Sequence, residues 1–255
     1  MSAGPAFPTS PSARSARVAS ATAPLSPTPR STLGRLRERA VLDREALWAV
    51  LDEGLVGHLG IVVDGAPVVL PTIYGRDGDT VYLHGSTAAR SLRLASTGVP
   101  VCLTVTHVDG VVYARSAFHH SMNYRSAVVH GTARPVPRSE LRHALEVITE
   151  QVAPGSWRHA RQPTAKELAA TAVLALPLAE ASVKVRSGGP HDDEDDVTAG
   201  VAWAGVLPLE RRWGVPRPSA DLPATAPAPA HVVGRRWPAP GVRAEEHAEA
   251  GADVG

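Results

Sequence analysis

The sequence predicts a mainly β fold with flanking helices, built as an antiparallel barrel. Three observations point there. Apolar residues alternate over short stretches bounded by tight-turn signals, at Asp64-Gly65, Arg76-Asp77-Gly78-Asp79 and Asp109-Gly110. Roughly six or seven such strands follow one another through connections too short for parallel crossovers. No Gly-x-Gly-x-x-Gly follows a strand, which argues against a doubly wound nucleotide-binding sheet.

The elements follow in order. Residues Met1–Thr32 hold Ser, Ala, Pro, Thr and Arg, with no acidic residue and no hydrophobic period. Such a segment cannot offset its ordering entropy, so a disordered tail is expected over 1–32. An Arg- and Ser-rich, acid-free start also has the composition of an organelle transit peptide. One domain is expected over 33–215. Asp43 can cap a helix running through Glu53, with Leu47, Val50 and Leu51 as its apolar stripe and Gly54 at its end. Strands at Val56–Val63 and Ala66–Tyr74 flank Asp64-Gly65, a strong hairpin signal. A strand at Thr80–His84 and a helix over Ser86–Ser96 come next. Pro100–His107 is then a strand, turned by Asp109-Gly110 into Val111–Ala117, and Tyr124–Val136 is another.

After Pro137 the period lengthens. Ser139–Val152 reads as a helix with Leu141, Leu145 and Ile148 on one face. Thr164-Ala165-Lys166-Glu167 fits a capping box for a second helix. Leu176–Arg186 reads as one returning strand, and Val201–Leu207 is a short apolar stretch around Trp203. From 216 to 255 Pro and Ala dominate, so a second disordered tail is expected, with a short helix near Arg243–Ala250.

Composition bounds the function. At 255 residues, 44% hydrophobic and 20% charged, the chain can bury an ordinary core. A net charge of +1 makes no electrostatic case for nucleic acid or for an anionic membrane. No apolar run approaches the ~18 residues of a membrane span. Cys102 is the single cysteine, which excludes an intramolecular disulfide. Its setting, Val-Cys-Leu-Thr-Val, favours a buried thiol, and a reducing, cytoplasmic location follows. Arg supplies nearly all the basic charge: Lys166 and Lys184 are the only lysines, and Asn123 is the only asparagine. Residues that persist against so skewed a composition hint at a chemical requirement. The phosphate loop, His-Glu-x-x-His and Gly-x-Ser-x-Gly are absent, which weighs against an ATPase, a zincin and an α/β-hydrolase.

Three constellations remain. In His84-Gly85-Ser86-Thr87-Ala88-Ala89-Arg90-Ser91, a strand ends in glycine, hydroxyls follow and a helix opens with an arginine. Hydroxyls, backbone amides and a guanidinium suit a phosphate monoester; a capped helix with a solvent-exposed arginine reads equally well. In Asn123–Gly131, Arg125 alternates with Ala127 and Val129, while Tyr124, Ser126 and Val128 point the other way. A buried arginine there needs an anionic or carbonyl partner; otherwise Arg125 faces solvent on an edge strand. Trp203, among small residues, and Lys184 form the third: a platform for a planar ligand, or a core tryptophan. His107, His119, His120 and His130 fall on or near successive strands, without a zinc-type spacing, and no metal site is expected.

Taken together, the segments Val68–Tyr74, Val81–Ser86 with Arg90, Asn123–Gly131, Ser182–Arg186 and Trp203–Pro208 resemble the pyridoxamine 5′-phosphate oxidase-like flavin-binding proteins, nearest the branch with the nitroimidazole-resistance proteins. The resemblance spans Leu33 to Trp213. It implies a split β-barrel, a homodimer, and FMN held between protomers. By similarity, Gly85, Ser86, Arg90 and Ser91 receive the flavin phosphate. Thr72, Ile73 and Tyr74 run beside the isoalloxazine, and Arg125 and Ser126 lie on a strand that contacts the cofactor. His84 matches a histidine near the flavin and is the candidate proton donor or substrate contact, while Lys184 and Trp203 close the cleft. The pattern departs from true pyridoxamine-phosphate oxidases at Val128, where they carry a second arginine, and at Ala88-Ala89-Arg90, where they carry paired Arg-Lys. The vitamin substrate is therefore not expected. Relatives of this build also hold deazaflavin or haem. The resemblance implies an oxidoreductase moving two electrons to or from a small organic substrate; the alternative is a flavin carrier or sensor without turnover.

Overall fold

The computed structural model of the protein describes residues 24–25, 28–223 and 225–237. Most of the N-terminal tail and the helix expected near 243–250 lie outside the described residues. The structure is mainly antiparallel β with helices, and its strands form one ten-stranded sheet. They are β1 (Ala40–Val41), β2 (Val56–Val63), β3 (Ala66–Asp77), β4 (Thr80–Ser86), β5 (Pro100–Tyr113), β6 (Ser121–Thr132), β7 (Arg134–Pro135), β8 (Thr171–Pro177), β9 (Glu180–Arg186) and β10 (Gly205–Pro208). Their order is β1-β9-β6-β5-β2-β3-β4-β8-β7, with β10 added to β5.

Local chemistry accounts for several elements. Asp43 accepts a hydrogen bond from the Glu45 amide at 3.1 Å and starts α1 (Arg44–Glu53). The helix turns Ala46, Leu47, Val50 and Leu51 into the main core, where they meet Leu59, Leu83, Leu103, Val105 and Val129 from the barrel strands. Asp64 and Gly65 both take positive φ, 52° and 80°, which is what a two-residue hairpin turn between β2 and β3 requires. After β4 come α2 (Arg90–Ala95) and, beyond β7, α3 (Leu141–Val152) and α4 (Ser156–His159). The capping box forms: Thr164 and Glu167 bond reciprocally at the start of α5 (Ala165–Ala170). Two short helices, α6 (Glu194–Ala199) and α7 (Ala230–Val233), complete the described chain.

A second apolar cluster, Leu141, Ala144, Ile148 and Val173, seats α3 on the outer side of β3, β4 and β8. The approach is close at Gly75, where a Cβ would sit 2.6 Å from the Val147 carbonyl oxygen and 2.7 Å from the Ile148 backbone.

Four expectations are corrected. Asp109-Gly110 is not a turn: β5 runs unbroken from Pro100 to Tyr113, with a bulge between Val108 and Gly110. The bulge lets Asp109 reach Arg125, and Gly110 leaves room for β10, since a Cβ there would lie 2.8 Å from the Leu207 carbonyl oxygen. Leu176–Arg186 is two strands, because β8 turns at Leu178, whose amide bonds to Asp79 O at 2.9 Å and whose side chain is buried. The helix expected over Ser86–Ser96 begins only at Arg90; Ser86 still pairs with Thr171 in the β4–β8 ladder. Cys102 is half-buried on the outer face of β5, opposite Gly60, rather than in the core.

Beyond residue 215 the sequence carries no core pattern, yet its described part touches the barrel through named contacts. Trp237 Nε1 donates to Glu53 Oε1 at 3.1 Å, and Arg235 donates to Val152 O at 2.6 Å while its guanidinium lies 4.4 Å over the Trp213 ring. Between this segment, α1 and α3 lies a cavity of about 540 Å³ with Glu53, Gln151, Trp213 and Trp237 in its wall.

Candidate functional site

The barrel is split along β3. Residues Ala66–Ile73 pair with β2, whereas the ladder to β4 covers only Tyr74–Asp77. From Tyr74 backwards along β3 and from Leu83 forwards along β4, the two strands therefore diverge. On one side stand Thr72 and Ile73, with one edge of the strand open; on the other stand His84, Gly85 and Ser86, paired only to β8. An open edge offers main-chain donors and acceptors without a partner, which suits the polar rim of a planar heterocycle. α2 packs against β2 and β4 at this opening, its Leu92 resting on Gly85, where a Cβ would meet the Leu92 side chain at 2.9 Å.

The turn expected to receive a phosphate is wired within the chain. The amides of Thr87, Ala88 and Ala89 bond to Ala170 O, Ser86 Oγ and Ser86 O, so they are committed within the chain. The exposed hydroxyls of Ser86, whose oxygen accepts from Ala88 but whose proton is uncommitted, and of Thr87 remain on offer, as does the guanidinium of Arg90. Arg90 pairs with Asp64 at 2.5 Å, both side chains largely in solvent. An exposed pair of this kind is weak and can be exchanged for a stronger anionic partner. Tyr74 takes its side chain away from the split: its hydroxyl donates to Leu51 O at 2.6 Å inside the core, and burial, with Asp52 adding, raises its pKa. Only its backbone is left for a ligand.

His84 shares the outer face of β4 with Tyr82 and lies across the ladder from Val173, in the layer beneath α3. Its Nδ1 is buried without a hydrogen-bond partner, and burial lowers its pKa. The ring is therefore a neutral imidazole at neutral pH.

Arg125 has a different role from the one the resemblance implies. It is turned inward and only 2% exposed. Nη1 and Nη2 donate to Glu53 at 2.5 and 3.0 Å, and Nε and Nη2 donate to Asp109 at 2.9 and 2.8 Å. Burial alone would lower the arginine pKa, but the two carboxylates outweigh it and the net shift is upward. Burial likewise pushes Glu53 up, and the bonds from Arg125 and Trp237 bring it below its ordinary value. The guanidinium that could have met a cofactor is thus committed to its own chain. Beside this network, His107 Nδ1 accepts from Arg211 at 2.9 Å while Nε2 donates to Val50 O at 2.9 Å. Asn123 also works inside the fold: its amide binds Gly188 O at 3.1 Å and its oxygen accepts from Arg186.

Ser126 and Lys184 face each other across the β6–β9 ladder on the outside of the sheet. β6 is three strands from β3 in the sheet order, and it also approaches β8, the partner of β4, across the barrel. Trp203 is exposed and lies against Tyr113 at the end of β5, with ring centroids 5.9 Å apart. Sequence reasoning missed Glu53, Asp109, Arg211 and Trp237, since a carboxylate at a helix end or an Asp-Gly pair carries no local sign of its distant partner. Among the described residues no cluster of three or more His, Cys, Asp or Glu could hold a metal ion, and no helix is long and apolar enough to cross a membrane.

Comparisons with known proteins bear on the family. The family model described as pyridoxamine 5′-phosphate oxidase matches residues 43–185. A search of curated proteins returned no match. Among solved structures, the FAD and heme binding protein from Mycobacterium smegmatis is 39% identical, with a TM-score of 0.75, over 77% of this chain and 96% of that one. The flavocytochrome Anf3 from Azotobacter vinelandii is 37% identical, with a TM-score of 0.78, over 84% of this chain and all of that one. A protein from Bacteroides thetaiotaomicron assigned to 5-nitroimidazole antibiotic resistance shares the fold at 22% identity and a TM-score of 0.51, over 57% of this chain and 86% of its own. A split antiparallel barrel, a family match over more than half of the length and two relatives near 40% identity agree: the chain belongs to the pyridoxamine 5′-phosphate oxidase family.

Proposed function

We propose that this protein is a flavin- and haem-binding oxidoreductase that works as a homodimer, with the flavin seated at the split between β3 and β4. The observation that carries the reading is the pair of relatives at 39% and 37% identity, described as an FAD and heme binding protein and as a flavocytochrome, each covered almost end to end. The first of them favours FAD over the FMN that the wider family suggests.

The geometry supports the same reading. The open edge of β3 at Thr72 and Ile73 offers main-chain groups to the flavin's polar rim, and Arg90 with the Thr87 hydroxyl offers charge and hydrogen bonds to its phosphate. His84, neutral and with an unpartnered ring nitrogen, is the candidate to hold or move a proton near the reacting atoms. The flavin would supply the two-electron chemistry, while the chain positions it and excludes water. Exposed Val56, Val62, Val69 and Ile73 on the outer face of β2 and β3 supply an apolar surface for a second protomer. That second copy is also what would carry Ser126 and Lys184 to the flavin.

The test is an absorbance spectrum of the purified protein, taken as isolated and again after incubation with FAD, FMN and hemin followed by desalting. The expected result is retained flavin bands, retained Soret absorption, and FAD as the released flavin by mass. Protein that retains neither group under any loading overturns the reading. Bands that are retained but do not bleach with any reductant overturn the oxidoreductase part alone.

A further inference from the structure

We propose that the face formed by β10, β5 and β6 is the haem site and that His120 Nε2 is its iron ligand. The inference rests on the flavin–haem reading above and adds the ligand and the surface to it.

The ladders define the face. Leu207 lies opposite Val111, Val111 lies opposite Met122, and Gly205 lies opposite Tyr113. Side chains alternate along a strand, so Val111, Tyr113, Met122 and Leu207 share one side, and His120, two residues before Met122, joins them. Trp203 folds its ring over Gly205, where a Cβ would lie only 2.8 Å from the indole. Large apolar groups stand open here: Trp203 is 69% exposed, Met122 50%, and nearby Phe118 89%. The other side of the same strands is closed, with Val112 fully buried. A broad apolar platform at the surface is what a flat macrocycle covers.

The histidine on this platform is prepared for a metal. His120 Nδ1 lies 3.0 Å from the Ser116 carbonyl oxygen. A carbonyl only accepts, so Nδ1 carries the proton and the lone pair sits on Nε2, which has no partner among the described residues. A hydrogen bond from one ring nitrogen to a backbone carbonyl is the usual means of fixing the tautomer and orientation of a metal-binding histidine. The Tyr113 ring meets the imidazole edge-on at 5.7 Å and limits its rotation. Other histidines are differently engaged: His107 has both nitrogens committed, and His119 and His143 have Nε2 on Asp193 and Asp77. His84 lies beneath α3, away from any open apolar face.

The donor set selects haem over a bare ion. A lone metal ion needs three or four protein ligands, and no such cluster exists among the described residues. Haem brings four nitrogens of its own and needs one axial side chain plus an apolar surface. His120 with its aromatic neighbours meets that requirement.

The experiment titrates hemin into full-length protein stripped of haem, following the Soret band, for wild type and for His120→Ala, His120→Gly and His159→Ala. His159 is an exposed control at the end of α4. The expected result is that wild type and His159→Ala bind and show a histidine-ligated spectrum. His120→Ala should lose affinity by at least about 100-fold, since losing even a supporting partner of a ligand costs 10–100-fold. Free imidazole should restore the ligated spectrum in His120→Gly, which separates ligation from misfolding, and flavin uptake should be unchanged in both His120 variants. Wild-type binding with an unaltered spectrum and affinity in His120→Ala overturns this assignment and leaves the haem reading intact. A wild type that takes up no hemin overturns both. A wild type that self-associates through this face, and loses that association on His120→Ala without ever binding hemin, identifies the occupant as a second copy and also overturns it.

Discussion

Arg125 shows how the environment of one residue decides its role. Its guanidinium is buried and holds Glu53 and Asp109 through four hydrogen bonds. Removing it leaves the Glu53 carboxylate buried without its main counter-charge. Arg125→Ala should therefore destabilise the protein by about 3–5 kcal/mol in urea unfolding. Arg125→Lys should recover only part of that, because an ammonium cannot make the two-pronged contacts. If Arg125→Ala unfolds like wild type yet loses flavin, the guanidinium belongs to the cofactor after all. Cys102 makes a related point: its apolar flanks read as core, yet the strand's alternation puts it on the outer face with Thr104 and Thr106.

At the level of elements, α3 packs on the barrel with one especially close approach. Gly75 gives the helix backbone room that no other residue allows, with Val147 O and Ile148 N and Cα within 2.7 Å of where a Cβ would stand. Backbone on a packed helix cannot yield as a flexible side chain does. Gly75→Ala should cost about 1–3 kcal/mol, read as a lower urea midpoint. Hydrogen exchange should rise in α3 before it rises in β5 and β6. Equal protection in α3 would place the weak point elsewhere. Two of the three Asp-Gly pairs belong to this scale too. Asp64-Gly65 closes a two-residue hairpin because nothing beyond it claims either strand end. Asp109-Gly110 carries the same signal, but β6 on one side and β10 on the other hold β5 straight through it, and Arg125 draws the aspartate inward.

For the molecule as a whole, two properties follow from what is buried and what is left open. His84 and His107 both have pKa values lowered, first of all by burial. The unfolded chain takes up protons at these residues near pH 6.5 while the folded chain does not. Stability is therefore fully present above that pH and should fall as the pH drops through it. Glu53, also lowered, adds a further loss below about pH 4.5, where the unfolded carboxyl protonates first. Urea midpoints measured between about pH 8 and 5 should decline on the acid side; a flat profile would contradict the burial of these rings. The outer face of β2 and β3 makes the second prediction. If it is the protomer interface, Val69→Asp with Ile73→Asp should halve the mass measured by light scattering and weaken flavin retention together. A dimer that survives both charges would move the interface elsewhere.

Much of the architecture was legible in the sequence, because its signals are local. Asp43 before an apolar stripe, Thr164 and Glu167 three apart, Asp64-Gly65 between alternating runs and the change of period after Pro137 each act within a turn or a strand. Together they determined an antiparallel β protein with capped helices, and the ordered set of segments determined its family. The tertiary structure alone decided what those segments do to one another. It carried Glu53 and Asp109 to Arg125, committed the amides of the Ser86–Arg90 turn, and set Ser126 and Lys184 opposite each other on β6 and β9. It also gathered His120, Tyr113, Met122, Trp203 and Leu207, scattered over some ninety positions, onto one open face. The physical reason is the same in each case: propensity and capping are settled by neighbours in the chain, whereas burial, ion pairing and a histidine's tautomer depend on partners that only strand pairing brings near.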